Sequence, residues 1–157
     1  MSYTVEQFAK MMGNSQVSVA NGIDLSPAPS NTAAARIENL EYCMQSVVFE
    51  RCAMLAALYA EYALVFAVPN DMVRPGQRMT AGLKAGVPDI FWPVARGGYH
   101  GMFIELKVGR NPLQQKQQQW IDRLEMEGFF CVVVRNDPEA VIAEMESYRK
   151  LSICSTG

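Results

Sequence analysis

Apolar side chains recur at positions 40, 44, 47, 48, 55, 58 and 62, the spacing of one helix face, and predict a long helix from about residue 32 to residue 62. Four short apolar runs follow at 64–68, 87–94, 102–108 and 129–134, each of strand length. Between the last two, residues 112–127 carry an apolar stripe at Leu113, Trp120, Ile121 and Leu124. Asn111 reads as the N-cap of that helix, Pro112 as its first residue and Gly128 as the glycine just past its end. Asp137 followed by Pro138 opens a closing helix to about residue 151 by the same logic. The order α-β-β-β-α-β-α predicts an α/β fold, a small mixed sheet flanked by helices.

Ahead of this block the pattern changes. Thr4-Val5-Glu6-Gln7 has the form of a capping box opening a short helix, with Val5, Phe8 and Met12 on one side. Residues 13–31 are rich in Asn, Ser, Gly and Pro, with Ser26-Pro27-Ala28-Pro29-Ser30 the clearest break. The expected division is an N-terminal arm and linker at 1–31 and one domain at 32–157. With 157 residues, half of them hydrophobic, the chain can bury a real core. No apolar run reaches the roughly 18 residues that would span a bilayer. Met1-Ser2-Tyr3-Thr4 lacks the basic and apolar regions of a secretion signal. The cysteines at 43, 52, 131 and 154 form no CxxC pair and no zinc-like cluster, so they read as reduced thiols in a cytoplasmic protein.

Charge changes the picture once its distribution is considered. The net charge is −2, yet residues 69–119 carry +4 between flanks of −3 each. Two of the three acids in the basic segment, Asp89 and Glu105, are candidate metal ligands. A positive segment around a carboxylate pair suits a phosphodiester substrate, although such blocks are also found as plain solvated faces.

The candidate chemistry lies in two of the strands. Pro88-Asp89 opens one, and Glu105-Leu106-Lys107 lies in the next. Residues two apart share a strand face, so Glu105 and Lys107 project together while Ile104, Leu106 and Val108 face the other way. If the strands are neighbours, Asp89 and Glu105 converge. Two carboxylates and a backbone carbonyl, that of Leu106, are hard oxygen donors suited to Mg²⁺ or Mn²⁺. Lys107 would hold or deprotonate the attacking water and offset charge on the phosphate. The same residues also fit an ordinary ion pair between Glu105 and Lys107. Gln117 falls on the apolar stripe of its helix, and Glu41 lines up with Gln45, Val48, Cys52 and Leu55 on the inward face of the long helix. Glu50, half a turn away, reads as solvated. His100 is the single histidine and is expected to shape the 97–101 turn or touch substrate.

Taken in order, Glu41-Tyr42-Cys43-Met44-Gln45, Pro69-Asn70, Gly86-Val87-Pro88-Asp89-Ile90, Arg96-Gly97-Gly98-Tyr99-His100-Gly101 and Ile104-Glu105-Leu106-Lys107, continuing to Leu113 and Gln117, resemble the virus-type replication–repair nuclease domain, VRR-NUC. The resemblance covers about residues 38–151. It implies a restriction-endonuclease-like αβββαβ core of the PD-(D/E)xK class and Mg²⁺- or Mn²⁺-dependent cleavage of phosphodiester bonds. Carried over, Asp89, Glu105 and Lys107 are the core site, Glu41 the helical acid near the metal and Gln117 the glutamine supporting it. The sequence departs from the family at Asn70-Asp71, where Asn-Gly is usual, and the N-terminal arm has no counterpart.

Stand-alone members of the family, common in phages and bacteria, resemble structure-specific endonucleases that act as dimers on four-way junctions, so the resemblance implies a homodimer and branched DNA as partner. The setting it implies is a bacterial cytoplasm, with the gene carried by phage or host. Arg74, Arg78, Lys84, Arg96, His100, Arg110 and Lys116 are the candidate nucleic-acid contacts. Two other functions stay open: a nucleic-acid-binding module that keeps the fold without the chemistry, and a restriction-like enzyme on plain duplex.

Overall fold

The computed structural model describes residues 33–69 and 81–153. The short helix at 4–12, the linker at 13–31, the Asn70-Asp71 turn, Arg74 and Arg78 lie outside the described residues. Helix α1 spans Ala33–Ala56, followed by a 3₁₀ turn at Ala60–Leu64 and strands β1 (Phe66–Ala67), β2 (Ile90–Trp92) and β3 (Met102–Lys107). Helix α2 (Gln115–Met126), strand β4 (Phe130–Arg135) and helix α3 (Pro138–Arg149) complete the chain. The order is the one expected from the apolar pattern.

The four strands form an open mixed sheet in the order β1-β2-β3-β4. β1 and β2 run antiparallel, as do β2 and β3, whereas β3 and β4 are parallel and joined through α2. One face carries Ile90, Trp92, Met102, Ile104, Leu106 and Val134, which pack with Met44, Val48 and Cys52 of α1 and Val141, Met145 and Tyr148 of α3. This is the main core. On the opposite face Phe91 stacks on Phe103 at 4.2 Å between ring centres, and Phe129 meets both rings edge-on. Among the described residues, no helix is long and apolar enough to cross a membrane. Cys43, Cys52 and Cys131 are free thiols.

Two helix boundaries differ clearly from the sequence expectation. The long helix stops at Ala56 rather than near residue 62, because Tyr62 turns inward to stack on Trp92 at 4.8 Å and gives its hydroxyl to Glu146 at 2.6 Å. Leu58, expected on the buried face, is exposed. The second helix begins at Gln115 with Gln114 as N-cap, so Asn111 and Pro112 belong to the preceding loop. Its far end follows expectation, with Gly128 in the left-handed region at φ 82°. The closing helix also follows expectation: Asp137 Oδ1 accepts the N–H groups of Glu139 and Ala140 at 3.0 and 3.1 Å, and Pro138 takes the first turn.

Candidate active site

The β2–β3 register pairs Ile90 with Ile104, and one step further along it sets Asp89 opposite Glu105. Both then lie on the sheet face turned toward α2, with Lys107 two residues beyond Glu105. Glu105 and Lys107 are buried, at 1% and 6% exposure, so an isolated charge there would be costly. Lys107 Nζ lies 2.9 Å from Glu105 Oε1. Gln117 Nε2 donates to the same oxygen, while Gln117 Oε1 accepts the N–H of Gln114 at 2.9 Å. The helix N-terminus therefore orients the amide so that its NH₂ faces the carboxylate.

Asp89 is tied by its backbone to the β1 side and by its side chain to β3. Its carbonyl accepts the Val68 N–H at 2.8 Å, and its Oδ2 accepts the Leu106 N–H at 2.7 Å. A strand residue directs its N–H and C=O to the same neighbour, so the Leu106 carbonyl also points to the β2 side. Continuing the register, the residue across from it is Pro88, which has no N–H to give. The Pro-Asp pair thus places one carboxylate beside Glu105 and leaves the Leu106 carbonyl without a backbone donor from β2.

Electrostatically the site carries an excess of negative charge. Burial, then the Asp89 carboxylate, pushes Glu105 up to about 7, against the pull of Lys107; Glu41 pushes it further the same way. Glu105 Oε2 is buried and finds no hydrogen-bond partner among the described residues. Among the described residues no group of three His, Cys, Asp or Glu side chains is arranged to hold a metal ion. The donors are a carboxylate pair, a third acid nearby and a backbone carbonyl. An orphaned buried carboxylate oxygen in a hard-oxygen set of surplus negative charge fits a divalent cation that keeps water and substrate oxygens in its shell. The single unpaired oxygen also distinguishes this group from a closed ion pair, in which every acceptor has a donor.

Most of the residues singled out in the sequence come together at this end of the sheet. Lys84, 5.9 Å from the Trp120 ring, and Gly86, against the backbone of Lys116, tie the loop before Asp89 to α2. Lys84, Lys116 and Arg110, just beyond β3, are exposed there.

Arg96 and His100 are not brought to the site. They sit in the β2–β3 connection, which an antiparallel pair places at the end away from Asp89 and Lys107. Arg96 is held by Glu61 at 3.3 Å and by the carbonyls of Ala95 and Arg149. The His100 ring lies against Phe129 and Gly128. The signal was available, because a pair that opens on Asp89 and closes on Lys107 must turn at its far end.

Arg135 and Asn136 were not singled out. The last apolar run ends at Val134, yet the parallel register carries β4 one residue further and pairs Arg135 with Lys107.

Comparison with known proteins agrees with the architecture. The VRR-NUC domain family matches residues 39–138, a span that holds Glu41, Asp89, Glu105, Lys107 and Gln117. A solved structure described as a VRR_NUC domain protein is 26% identical, with a TM-score of 0.55, and the match covers 72% of this chain and 90% of that one. No curated protein matches the chain.

Proposed function

Because this chain belongs to the VRR-NUC domain family, a nuclease-type family, we propose that it is a divalent-metal-dependent endonuclease with Asp89, Glu105 and Lys107 at its centre. The observation that carries this reading is the buried, unpartnered Glu105 Oε2 beside a second carboxylate. Asp89, Glu105 and the Leu106 carbonyl would hold Mg²⁺ or Mn²⁺, with Glu41 adding charge from α1. When bound, such an ion supplies charge neutralisation at the phosphate and a more acidic water.

The protein's own groups account for the remaining work. The Leu106 N–H fixes Asp89, and Lys107 and Gln117 together fix one oxygen of Glu105 and leave the other without a hydrogen-bond partner among the described residues. Lys107 would also donate a hydrogen bond to the attacking water and offset charge on the phosphate. Lys84, Arg110 and Lys116 would engage the nucleic-acid backbone, a contribution that weakens with salt.

The substrate we assign is branched DNA, a four-way junction in particular, cut by a homodimer. Two symmetric cuts need two sites related by a two-fold axis, which a C2 dimer supplies. The test is a cleavage panel of single strand, duplex, flap and four-way junction, each with Mg²⁺, Mn²⁺ or chelator, together with the mass of the particle in solution. Metal-dependent cutting that favours the junction, lost in Glu105→Ala and given by a particle of twice the chain mass, is expected. Cleavage that survives chelation, or a fully active Glu105→Ala protein, would sink the assignment.

A further inference from the structure

The loop between β3 and α2, residues 108–114, has no regular structure of its own, yet it sets where Gln117 begins to act on Glu105. It is held from the end of β4. Asn136 Oδ1 accepts the Gly109 N–H at 2.5 Å and Asn136 Nδ2 donates to the Gly109 carbonyl at 3.3 Å, so one side-chain amide grips both sides of one residue. Arg135 Nη1 donates to the carbonyls of Gly109 at 3.1 Å and Asn111 at 2.7 Å. The Asn136 N–H returns to the Lys107 carbonyl at 2.9 Å. Asn136 is the one described non-glycine residue in the left-handed region, at φ 58°, and Gly109 sits opposite at φ 68°. Asparagine is among the few side chains that tolerate that conformation.

We propose that Arg135 and Asn136 are positioning residues that clamp the 109–114 loop and thereby hold Gln117 on Glu105. The chain of contacts runs from Asn136 and Arg135 to Gly109 and Asn111, along the loop to Gln114, and through Gln117 to the carboxylate. Arg135 shares its strand register with Lys107, which would suggest a phosphate ligand. Its hydrogen bonds instead go, both from Nη1, to two loop carbonyls, so the side chain is spent on the loop. The clamp stands on geometry alone; only its activity readout rests on the nuclease reading.

The test uses the full chain with Asn136→Gly, which keeps the left-handed backbone and removes the amide, and Arg135→Met, which removes both loop bonds, as a second variant. Backbone hydrogen exchange at Gly109 and Gln114 is expected to quicken by about tenfold or more in Asn136→Gly, with exchange in β3 unchanged. Cleavage is expected to show kcat lowered about tenfold, the usual effect of losing an outer support, with KM for DNA unchanged. In a Gln117→Ala background Asn136→Gly should have no further effect, because both changes act on one path. Arg135→Met should likewise quicken exchange at Gln114 and lower kcat if the clamp is right, whereas loss of a phosphate ligand would leave exchange unchanged and raise KM for DNA. Unchanged exchange at Gln114, independent multiplication of the two defects, or a raised KM with kcat intact would each overturn the proposal. Should the wild-type protein cut no DNA, exchange alone decides the clamp, and the nuclease reading fails separately.

Discussion

The two ends of the β2–β3 pair both carry charged side chains that are largely withdrawn from water, and they handle them in opposite ways. At the turn end Arg96 meets Glu61, Arg149 meets Glu146 at 3.1 Å, and Arg149 also lies 3.7 Å over the Tyr59 ring. Glu146 is held below the ordinary carboxylate range, first by its hydrogen bond from Arg149 and then by Tyr62. At the other end Glu105 is pushed up to about 7 and keeps an oxygen with no hydrogen-bond partner among the described residues. Each acid at the turn end has its donors, as expected of a network whose task is to hold the 3₁₀ turn, the 95–99 loop and α3 together. The site end is held short of closure, as expected where a ligand must complete it.

The largest effect that can break this contrast is at Glu105 itself. Its folded value is raised above 4.5, so the sign is that of a raised acid: the stability it contributes is present below about pH 4.5 and is lost as pH rises through about 7. That rise corresponds to on the order of 3 kcal/mol against the charged form. Glu105→Gln should abolish cleavage and yet stabilise the metal-free protein at pH 8 by about 1–2 kcal/mol, since the neutral amide removes that cost while Lys107 loses its counter-charge. Denaturant unfolding in chelator at pH 5 and pH 8 measures both. A variant less stable than wild type at pH 8 would show that the carboxylate is satisfied without a ligand.

Addition of Mg²⁺ sharpens the same point. A cation and a proton compete for Glu105, so Mg²⁺ should raise the unfolding temperature more at pH 8 than at pH 5, and not at all in Glu105→Gln. At a hundredfold excess over Kd the gain is about 2.7 kcal/mol, a shift of several degrees. Equal shifts at both pH values, or a shift that survives in the Gln variant, would place the ion elsewhere.

At the turn end the expected response is smaller and of the opposite kind. Tyr62→Phe removes the 2.6 Å bond to Glu146 but keeps the stack on Trp92, and should cost about 1 kcal/mol of stability. Cleavage per folded molecule should be unchanged. A lowered kcat in a fully folded Tyr62→Phe protein would mean the two ends are coupled.

What could be read in the sequence divides along similar lines. The cap at Asp137 and Pro138 was legible because it is a local bond between a side chain and the next turn. Asn111 and Pro112 carry the same signature, yet the helix starts three residues later, because side chains from β4 hold that loop in another conformation. The apolar spacing through Tyr62 likewise hid the end of α1, which is decided by Trp92 and Glu146 from distant parts of the chain. Asp89, Glu105 and Lys107 were legible because strand alternation is local and one assumed pairing joins them. His100 lies in the 97–101 turn it is expected to shape, and Arg96 shares that end of the β2–β3 pair, away from Asp89 and Lys107, because the connection of an antiparallel pair must lie opposite to where the pair opens.

The smallest effect tests the outer edge of the site. Glu41 is half-buried on α1 and raises Glu105, whereas Glu50 is exposed and lines a groove with Tyr42, Gln45 and Phe49. Glu41→Gln removes a negative charge that favours the protonated form of Glu105. The acidic limb of the pH–rate profile should therefore move to lower pH, since the carboxylate ionises more readily. If Glu41 also contributes to holding the ion, as its place on the inward face of α1 suggests, more Mg²⁺ should be needed for half-maximal rate, by about threefold to tenfold. Glu50→Gln should leave both quantities within error. Profiles measured at saturating and limiting Mg²⁺ separate the two roles, because only the loss of a donor is rescued by more ion. An acidic limb that moves upward in Glu41→Gln, or a Glu50→Gln protein with the same defect, would remove Glu41 from the site and leave Asp89 and Glu105 as its carboxylates.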